Sequence, residues 1–486
     1  MTRKTHNKLV FISGIFNVLH PGHIRMFRFA SELGGRLVIG LLKKENLDAN
    51  ILADAERLES LKAISFIDDV VMLNDLEHTL LTLRPDIVLK GNEFKSGHNI
   101  EQSIIQAWGG ELVFSSGEST FNSTSILTSG SLQADFDLPS SYFSYIKRHN
   151  IQPSFIASAL DQLSNLKVAV IGDIILDEYV DCDPVGLSRE DPTIVVSPVE
   201  KKCFIGGAAI VACHTRSFGA KVDFYSVCGK DKKADWLIKE LNDKGVHCNL
   251  VNDETRPTTV KKRYRSGNKT LLRVNEFRSH PLNTRAQNAL LQAIESQIHE
   301  YDLIMFSDFS YGLLSEDTVQ KIASLAEQHD VPMVADSQTS SQKGDLNKFR
   351  RMRLVTPTEL EARQATNVLD SSVGLAQVVE VLINRLQPGN VVMTLAEAGA
   401  MVANKNSNQR PQLDSLPALN KNPVDVSGAG DLLLVTTSLL MIAECDVWHA
   451  ALMGMIASAI HISTVGNEPI NAQELRRYLH KMQPRS

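Results

Sequence analysis

The stretch Gly14–His23, GIFNVLHPGH, decides how the first part of the chain is read. An apolar run, Leu9–Ser13, precedes it, and a run with helical spacing, Ile24–Leu33, follows. A strand, a glycine turn and a helix start in that order make an anion site. Free backbone N–H groups and the positive end of the helix dipole meet there. His20 and His23, with Gly22 between them, can add donors to a phosphate whose charge grows during transfer. A capped α/β turn with two surface histidines has the same local pattern, so the rest of the chain has to separate the two.

At 486 residues the chain is too long for one ordinary core, and two or three domains are expected. Hydrophobic residues make up 43% and charged residues 22%, as in a soluble globular protein. The net charge of −6 gives no general case for nucleic-acid binding. Leu432–Ala443 is too short for a membrane span and contains threonines and a serine, so no membrane partner is expected. The N-terminus lacks a long apolar region and a small-residue cleavage site, so no signal peptide is expected. The six cysteines, none in a C-x-x-C pair, fit a reduced cytoplasmic protein with buried thiols and no zinc site.

Outward from Gly14, strand and helix patterns alternate. Strands are expected at Leu9–Ser13, Arg36–Leu42, Asp69–Met72, Ile87–Lys90 and Glu111–Ser115, with helices at Ile24–Leu33, Ala53–Ser65 and Ile100–Trp108. This is the pattern of a doubly wound α/β domain. Lys43 and Lys44 follow the second strand and can reach phosphates as point charges. Lys90-Gly91-Asn92 ends a strand where backbone can approach a ligand. Ser123, Thr124 and Ser125 stand where hydroxyls cap a helix or hold a phosphate. Thr128–Ser141 has a linker's composition, and Ile156–Leu166 an amphipathic helix's. The expected division is therefore 1–135, a linker with a connecting helix over 136–166, and a second domain over 167–486.

The second domain is again α/β. Val168–Ile171 ends in Gly172-Asp173, with Asp177 just beyond, and acids past a strand's C-terminal end lie where open α/β sheets bind ligands. Gly206-Gly207-Ala208-Ala209 lets backbone pass close to a ligand or a helix pack on a sheet. Asn422–Asp431, NPVDVSGAGD, precedes an apolar helix, Leu432–Ile442. Gly428, Ala429 and Gly430 can turn successive N–H groups toward a phosphoryl group, and Asp431 can take a proton from an attacking hydroxyl.

The first domain resembles the nucleotidylyltransferase superfamily with the H-x-G-H signature. Within it, the segment is most similar to the adenylyltransferase part of the bifunctional heptose-phosphate kinase/adenylyltransferases. Glu56-Arg57-Leu58, Phe66–Val71, Leu83–Gly91, Trp108–Leu112 and Ser123–Ile126 carry the likeness. It implies a Rossmann-like domain in which His20 and His23 act on the transferring phosphate. Gly14, Phe16, Asn17, Lys43, Lys90, Ser123, Thr124 and Ser125 would then lie at the nucleotide. Asn17 departs from the usual Asp.

Residues 167–470 resemble the ribokinase-like (PfkB) sugar kinases. Gly206–Ala209, Phe218-Gly219-Ala220, Cys228–Asp231, Thr356-Pro357 with Glu361, and the G-A-G-D box carry this likeness. Ser188–Pro192, Lys262–Tyr264, Leu272–Phe277 and Ser307-Asp308 resemble the heptose-phosphate kinases in particular. The likeness implies Asp431 as catalytic base and Gly428–Gly430 as anion hole. Asp173, Asp177, Arg189, Gly206 and Gly207 would hold the sugar, and Glu361 and Asp425 would serve Mg²⁺. Departures stand at Ile210, Tyr311, Gln338 and Thr358, and the domains run in reverse order relative to the familiar bifunctional enzyme. The implied activity is phosphorylation of a heptose 7-phosphate-like sugar by ATP, then nucleotidyl transfer to an ADP-sugar. ATP or CTP can serve the second step, another sugar phosphate remains open as substrate, and so does a sugar-sensing regulator with a decayed kinase site. A homodimer is expected from the family likeness alone.

Overall fold

Five parallel strands build the first unit, a computed structural model showing them in the order β3-β2-β1-β4-β5. They are β1 (Leu9–Gly14), β2 (Arg36–Leu42), β3 (Asp69–Leu73), β4 (Ile87–Gly91) and β5 (Glu111–Ser115). Between them run α1 (Pro21–Leu33), α2 (Asp54–Lys62), α3 (Leu76–Leu83) and α4 (Ile100–Ile105). The structure describes residues 8–17, 19, 21–33, 35–43, 52–91, 99–115, 138–188, 190–191, 193–267, 269–339, 342, 344–405, 410–420, 423–464 and 468–482. The central strands read as unbroken apolar runs because both faces are covered, as parallel sheets require. Val10, Ile12, Ile39 and Leu89 pack with Phe27 on one side, and Phe11, Val38 and Val88 with Leu80 and Ile105 on the other.

The chain divides into two units, Met1–Gln133 and Ala134–Ser486. The second begins with α5 (Ser140–Arg148) and α6 (Pro153–Gln162). From residue 138 on, the segment expected as a linker with a connecting helix over 136–166 packs into this unit. Tyr142, Tyr145, Ile156 and Leu160 are buried in the same core as Val168 and Leu434. The Tyr142 hydroxyl donates to the Pro417 carbonyl at 2.8 Å, and Arg148 pairs with Asp414 at 2.7 Å. Ser140 and Ser141, at the end of the stretch with a linker's composition, begin a helix whose tyrosines face inward.

The remaining elements are β6 (Lys167–Gly172), β7 (Ile174–Leu187), β8 (Ile194–Gly207), α7 (Ala208–Ser217), β9 (Lys221–Cys228), α8 (Lys232–Asp243), β10 (His247–Asn252), β11 (Thr259–Ser266), β12 (Lys269–Glu276), α9 (Thr284–Glu295), β13 (Leu303–Asp308), α10 (Glu316–Gln328), β14 (Met333–Ser337), β15 (Leu354–Val355), α11 (Glu359–Thr366), α12 (Leu375–Leu386), β16 (Asn390–Thr394), β17 (Ala400–Asn404), β18 (Gln412–Leu416), α13 (Ala429–Ile442), α14 (Val447–His461) and α15 (Ala472–Leu479). A nine-stranded sheet runs β10-β9-β6-β13-β14-β15-β16-β17-β18, and a second sheet of four strands runs β12-β11-β7-β8. Helix α13 is apolar all round and buried from Asp431 to Met441, which fixes its N-terminus against the sheet.

Candidate active sites

In the first unit, Gly14 ends β1 and the chain turns through Phe16, whose φ is +44°. Phe16 is 4% exposed and packs edge-on to Phe27 at 5.2 Å. The His23 ring lies 5.3 Å from Phe16 and 6.1 Å from Phe27, so two phenyl rings orient the imidazole in the first turn of α1. Asn17 is buried, and its side-chain oxygen accepts the Leu52 N–H at 2.7 Å. An amide suits that contact as well as a carboxylate would. Lys43 follows β2, half-buried. Lys90 is paired with buried Glu101 at 2.7 Å, so its charge is already matched within the protein. His20, Lys44, Ser123, Thr124 and Ser125 lie outside the described residues.

Arg57 is a residue that motif reading did not assign. It is 1% exposed and donates to the Ile15 carbonyl at 2.5 Å, the Leu42 carbonyl at 2.9 Å and Asp54 at 2.5 Å. One guanidinium thus ties together the loops after β1 and β2. Its only sequence signal is a cation within the E-R-L match.

In the second unit, Gly428 caps α13 with φ +81°, a conformation glycine adopts without strain. Ser458 donates to the Ala429 carbonyl at 2.8 Å, and the His461 ring meets the Ser427 carbonyl at 3.0 Å. These contacts from α14 hold the turn's carbonyls, and within the turn the Ser427 N–H donates to Asp425 at 3.0 Å and the Ala429 N–H to the Val426 carbonyl at 3.4 Å. A β-carbon added at Gly430 would meet nothing within 4 Å, so the helix start opens onto free space of the kind a phosphoryl group needs.

Asp431 is 5% exposed, and Gln338 donates to its Oδ1 at 2.7 Å. Burial raises its pKa to about 7, against the opposing pull of Lys261 and Gln338 and with a further push from Asp177. Lys261 on β11 lies 4.4 Å from the centre of the Phe309 ring and 5.6 Å from that of Tyr311. Burial lowers its own pKa, while Asp177, Asp431 and Asp173 raise it. Gln338 and Tyr311, noted as departures, are therefore both built into this site.

The acids of the expected sugar pocket are also committed. Asp173 Oδ2 accepts the N–H groups of Phe309 at 3.0 Å and Tyr311 at 3.4 Å, while burial and Asp308 raise its pKa. Asp177 pairs with Arg263 at 2.5 Å. A side chain at Gly206 would meet Asp177 Oδ2 at 2.1 Å, and one at Gly207 the Asp173 carbonyl at 2.3 Å. The glycine pair is what lets the chain cross these two acids. Ile210 is buried in the α7 core, and Arg189 lies outside the described residues.

Glu361 closes a capping box with Thr358. Its Oε2 accepts the Thr358 N–H at 2.8 Å, and its Oε1 the Thr339 N–H at 2.6 Å. Thr358 thus fills the N-cap role that Asn would. Asp425 Oδ1 accepts the Ser427 N–H at 3.0 Å. Among the described residues, no group of three or more His, Cys, Asp or Glu side chains is placed to hold a metal. The donor set fits a Mg²⁺ that arrives on nucleotide phosphates and keeps its own water, which is how Mg²⁺ is usually held.

Residues 165–465 match the pfkB family of carbohydrate kinases, and residues 11–116 match the cytidylyltransferase-like family. The bifunctional protein HldE of Nitratiruptor is 28% identical over 315 residues, which is 64% of this chain and 64% of that protein. HldE of Helicobacter pylori is 29% identical over 321 residues, 66% of this chain and 67% of that one. The chain thus spans about two thirds of the length of the curated relatives it matches. Ribokinase from Thermotoga maritima superposes with a TM-score of 0.51 at 17% identity, covering 65% of this chain and 99% of that one. Phosphofructokinase-2 from Escherichia coli gives 0.53 at 14%, covering 65% and 99%. Both likenesses are of fold. No described helix is long and apolar enough to cross a membrane. A ribokinase fold with a glycine-opened helix start and a buried aspartate behind it, matched over 165–465, places the chain in the pfkB carbohydrate kinase family, with a cytidylyltransferase-like domain ahead of the kinase.

Proposed function

We propose that the chain is a bifunctional cytoplasmic enzyme of nucleotide-sugar synthesis. The kinase unit phosphorylates the anomeric hydroxyl of a heptose 7-phosphate-like sugar with ATP. The N-terminal unit joins a sugar 1-phosphate, formed from the resulting bisphosphate once water has hydrolysed the distal phosphate, to AMP from a second ATP, releasing pyrophosphate. The observation that carries this reading is Asp431, buried at the start of α13 with one oxygen held by Gln338. The other oxygen is left to accept a proton from the sugar hydroxyl as the hydroxyl oxygen bonds to Pγ and ADP leaves. A carboxyl raised to about 7 is matched to that work at neutral pH. The N–H groups of Gly428–Gly430 meet the transferring charge. Mg²⁺, when bound with ATP, neutralises phosphate charge, and Glu361 and Asp425 would meet its water.

In the N-terminal unit the nucleophile is a phosphate and needs no base. His20, His23 and Lys43 supply donors and charge to the α-phosphate, and Gly14, Phe16, Asn17, Lys90 and Ser123–Ser125 shape the nucleotide site. The match to a cytidylyltransferase-like family favours CTP as the second reading for this step. Small-molecule substrates are the proposed partners, with a homodimer as the proposed assembly.

The test is mass spectrometry of products after incubation with ATP or CTP and a panel of sugar phosphates. A sugar bisphosphate is expected from the sugar phosphate, and an ADP-sugar from supplied sugar 1-phosphate. A CDP-sugar overturns the choice of ATP. Binding of sugar phosphate with no turnover overturns the enzyme in favour of a sugar sensor.

A further inference from the structure

The four-stranded sheet carries a row of cations, of which only Lys261 acts on the catalytic aspartate. Side chains alternate along a strand, so Lys261, Arg263 and Arg265 of β11 share one face and Lys262 takes the other. The contacts follow this division. Lys262 pairs with Glu178 at 3.3 Å and Glu276 at 3.6 Å. On the opposite face, Lys261 lies against Phe309 and Tyr311, in the field of Asp431. Arg263 pairs with Asp177 and lies 5.1 Å from the centre of the Tyr179 ring, its register partner on β7. Arg265 lies 5.2 Å from the centre of the same ring. Tyr179 in turn lies close enough to Ser427 and Asp425, just ahead of the anion-hole turn, for both to act on its hydroxyl. This face of the sheet is therefore the one turned to the kinase site. Arg265 stands opposite Asp181 in the register with β7, but Asp181 pairs with Lys202 at 4.0 Å, and among the described residues no carboxylate is within ion-pair distance of Arg265.

We propose that Arg265, stacked on Tyr179 beside Arg263, binds a phosphate monoester at the far end of the acceptor sugar and so determines the specificity of the kinase. The spacing supports the acceptor as its source. Lys261 marks the reacting end beside Asp431, and each two residues of strand advance about 7 Å. A phosphate on the carbon most distant from the reacting hydroxyl therefore falls along Arg263 and Arg265. A guanidinium gives such a group two parallel N–H donors, and the tyrosine face holds the guanidinium plane in place. The assignment rests on the sugar-kinase reading and goes further by naming which residue reads the second anion.

The test is steady-state phosphorylation by ATP of four acceptors: a heptose 7-phosphate, a hexose 6-phosphate, and the same two sugars without phosphate. The wild type is expected to prefer a phosphorylated acceptor, with inorganic phosphate competing against it. Arg265→Ala should raise the KM of that acceptor about 10- to 100-fold, the range for a lost charge-assisted hydrogen bond. It should leave kcat and the KM of ATP within about threefold, and remove inhibition by inorganic phosphate. Arg265→Lys, which keeps charge without the fork, should fall between the two. An unchanged acceptor KM overturns the proposal. A rise in the KM of ATP alone assigns the guanidinium to the nucleotide and overturns it as well. Equal use of sugars with and without phosphate by the wild type overturns it while leaving the kinase reading intact. Phosphorylation of none of the four overturns both.

Discussion

Both units present a helix start to a phosphate, yet among the described residues the kinase unit buries many acids and the first unit one, Glu101, already paired with Lys90. In the kinase unit Asp173, Asp177, Asp308, Asp336, Glu361 and Asp431 are all buried. Among the described residues of the first unit, the buried polar or charged side chains are Asn17, Arg57 and Glu101. On the proposed reactions the difference follows from the nucleophile. A sugar hydroxyl must give up its proton, so its site holds a carboxylate kept basic by burial. A sugar 1-phosphate is already an anion, so its site needs oriented donors and no base.

Asp431→Asn tests this contrast with the largest effect. Sugar phosphorylation should fall about 10³-fold or more, while nucleotidyl transfer from supplied sugar 1-phosphate is unchanged. Equal loss of both activities in a folded variant, judged by circular dichroism, would end the idea of two independent chemistries. His23→Ala is the reciprocal case. Removing one donor to a developing charge should slow nucleotidyl transfer about 10²- to 10³-fold, and sugar 1-phosphate should accumulate in product analysis. Normal yield of nucleotide sugar would remove His23 from the site.

Arg57→Ala should act through structure. It leaves the Ile15 and Leu42 carbonyls without their shared donor and Asp54 without its partner, at a cost of about 3 kcal/mol. Heating before assay should inactivate nucleotidyl transfer at a lower temperature than in the wild type, with the kinase activity unmoved. Parallel loss of both would show that the tie serves more than the first unit.

The strand–turn–helix of Gly14–His23 and the G-A-G-D box were legible in sequence because local chemistry dictates them. A turn through positive φ, at Phe16 in one and Gly428 in the other, a helix start and a polar group at fixed spacing leave a mark within ten residues. What stayed hidden is long-range. Arg57 reaches carbonyls 42 and 15 residues away, and Gln338 meets Asp431 across 93 residues. Gln338 and Tyr311 registered only as departures, because nothing local shows that Lys261 comes in from another sheet. Alternating cations at 261, 263 and 265 were the available signal, and they acquire meaning only once β11 is known to lie over the site. The helix at Ser140–Arg148 was lost to its serines for the same reason, since the Pro417 carbonyl that Tyr142 meets lies 275 residues on.

The state of Asp431 gives a smaller effect. The base must be ionised, and burial holds its pKa near 7, so kcat for phosphorylation should fall as pH drops below about 7. Gln338→Lys puts a cation beside Oδ1 and should move this acid limb down, by about one pH unit. Lys261→Met removes a cation and should move it up. A limb that stays in place in both variants would mean that another group limits the rate.

The smallest effect belongs to His214 on α7. It is fully buried, its ring lies 5.3 Å from that of His461, and neither of its ring nitrogens has a hydrogen-bond partner among the described residues. Burial first, and His461 second, hold its pKa well below the ordinary 6.5. Above that value the ring is neutral in both the folded and the unfolded chain, so its titration contributes no slope. As pH falls below 6.5 the unfolded chain takes the proton and the folded chain refuses it. Stability then declines by up to about 1.4 kcal/mol per pH unit. Urea unfolding at pH 7.5 and 5.5 should therefore show a drop that is about 1 kcal/mol smaller in His214→Leu, whatever that variant's absolute stability. An identical drop in both proteins would mean that this histidine is protonated in the folded chain.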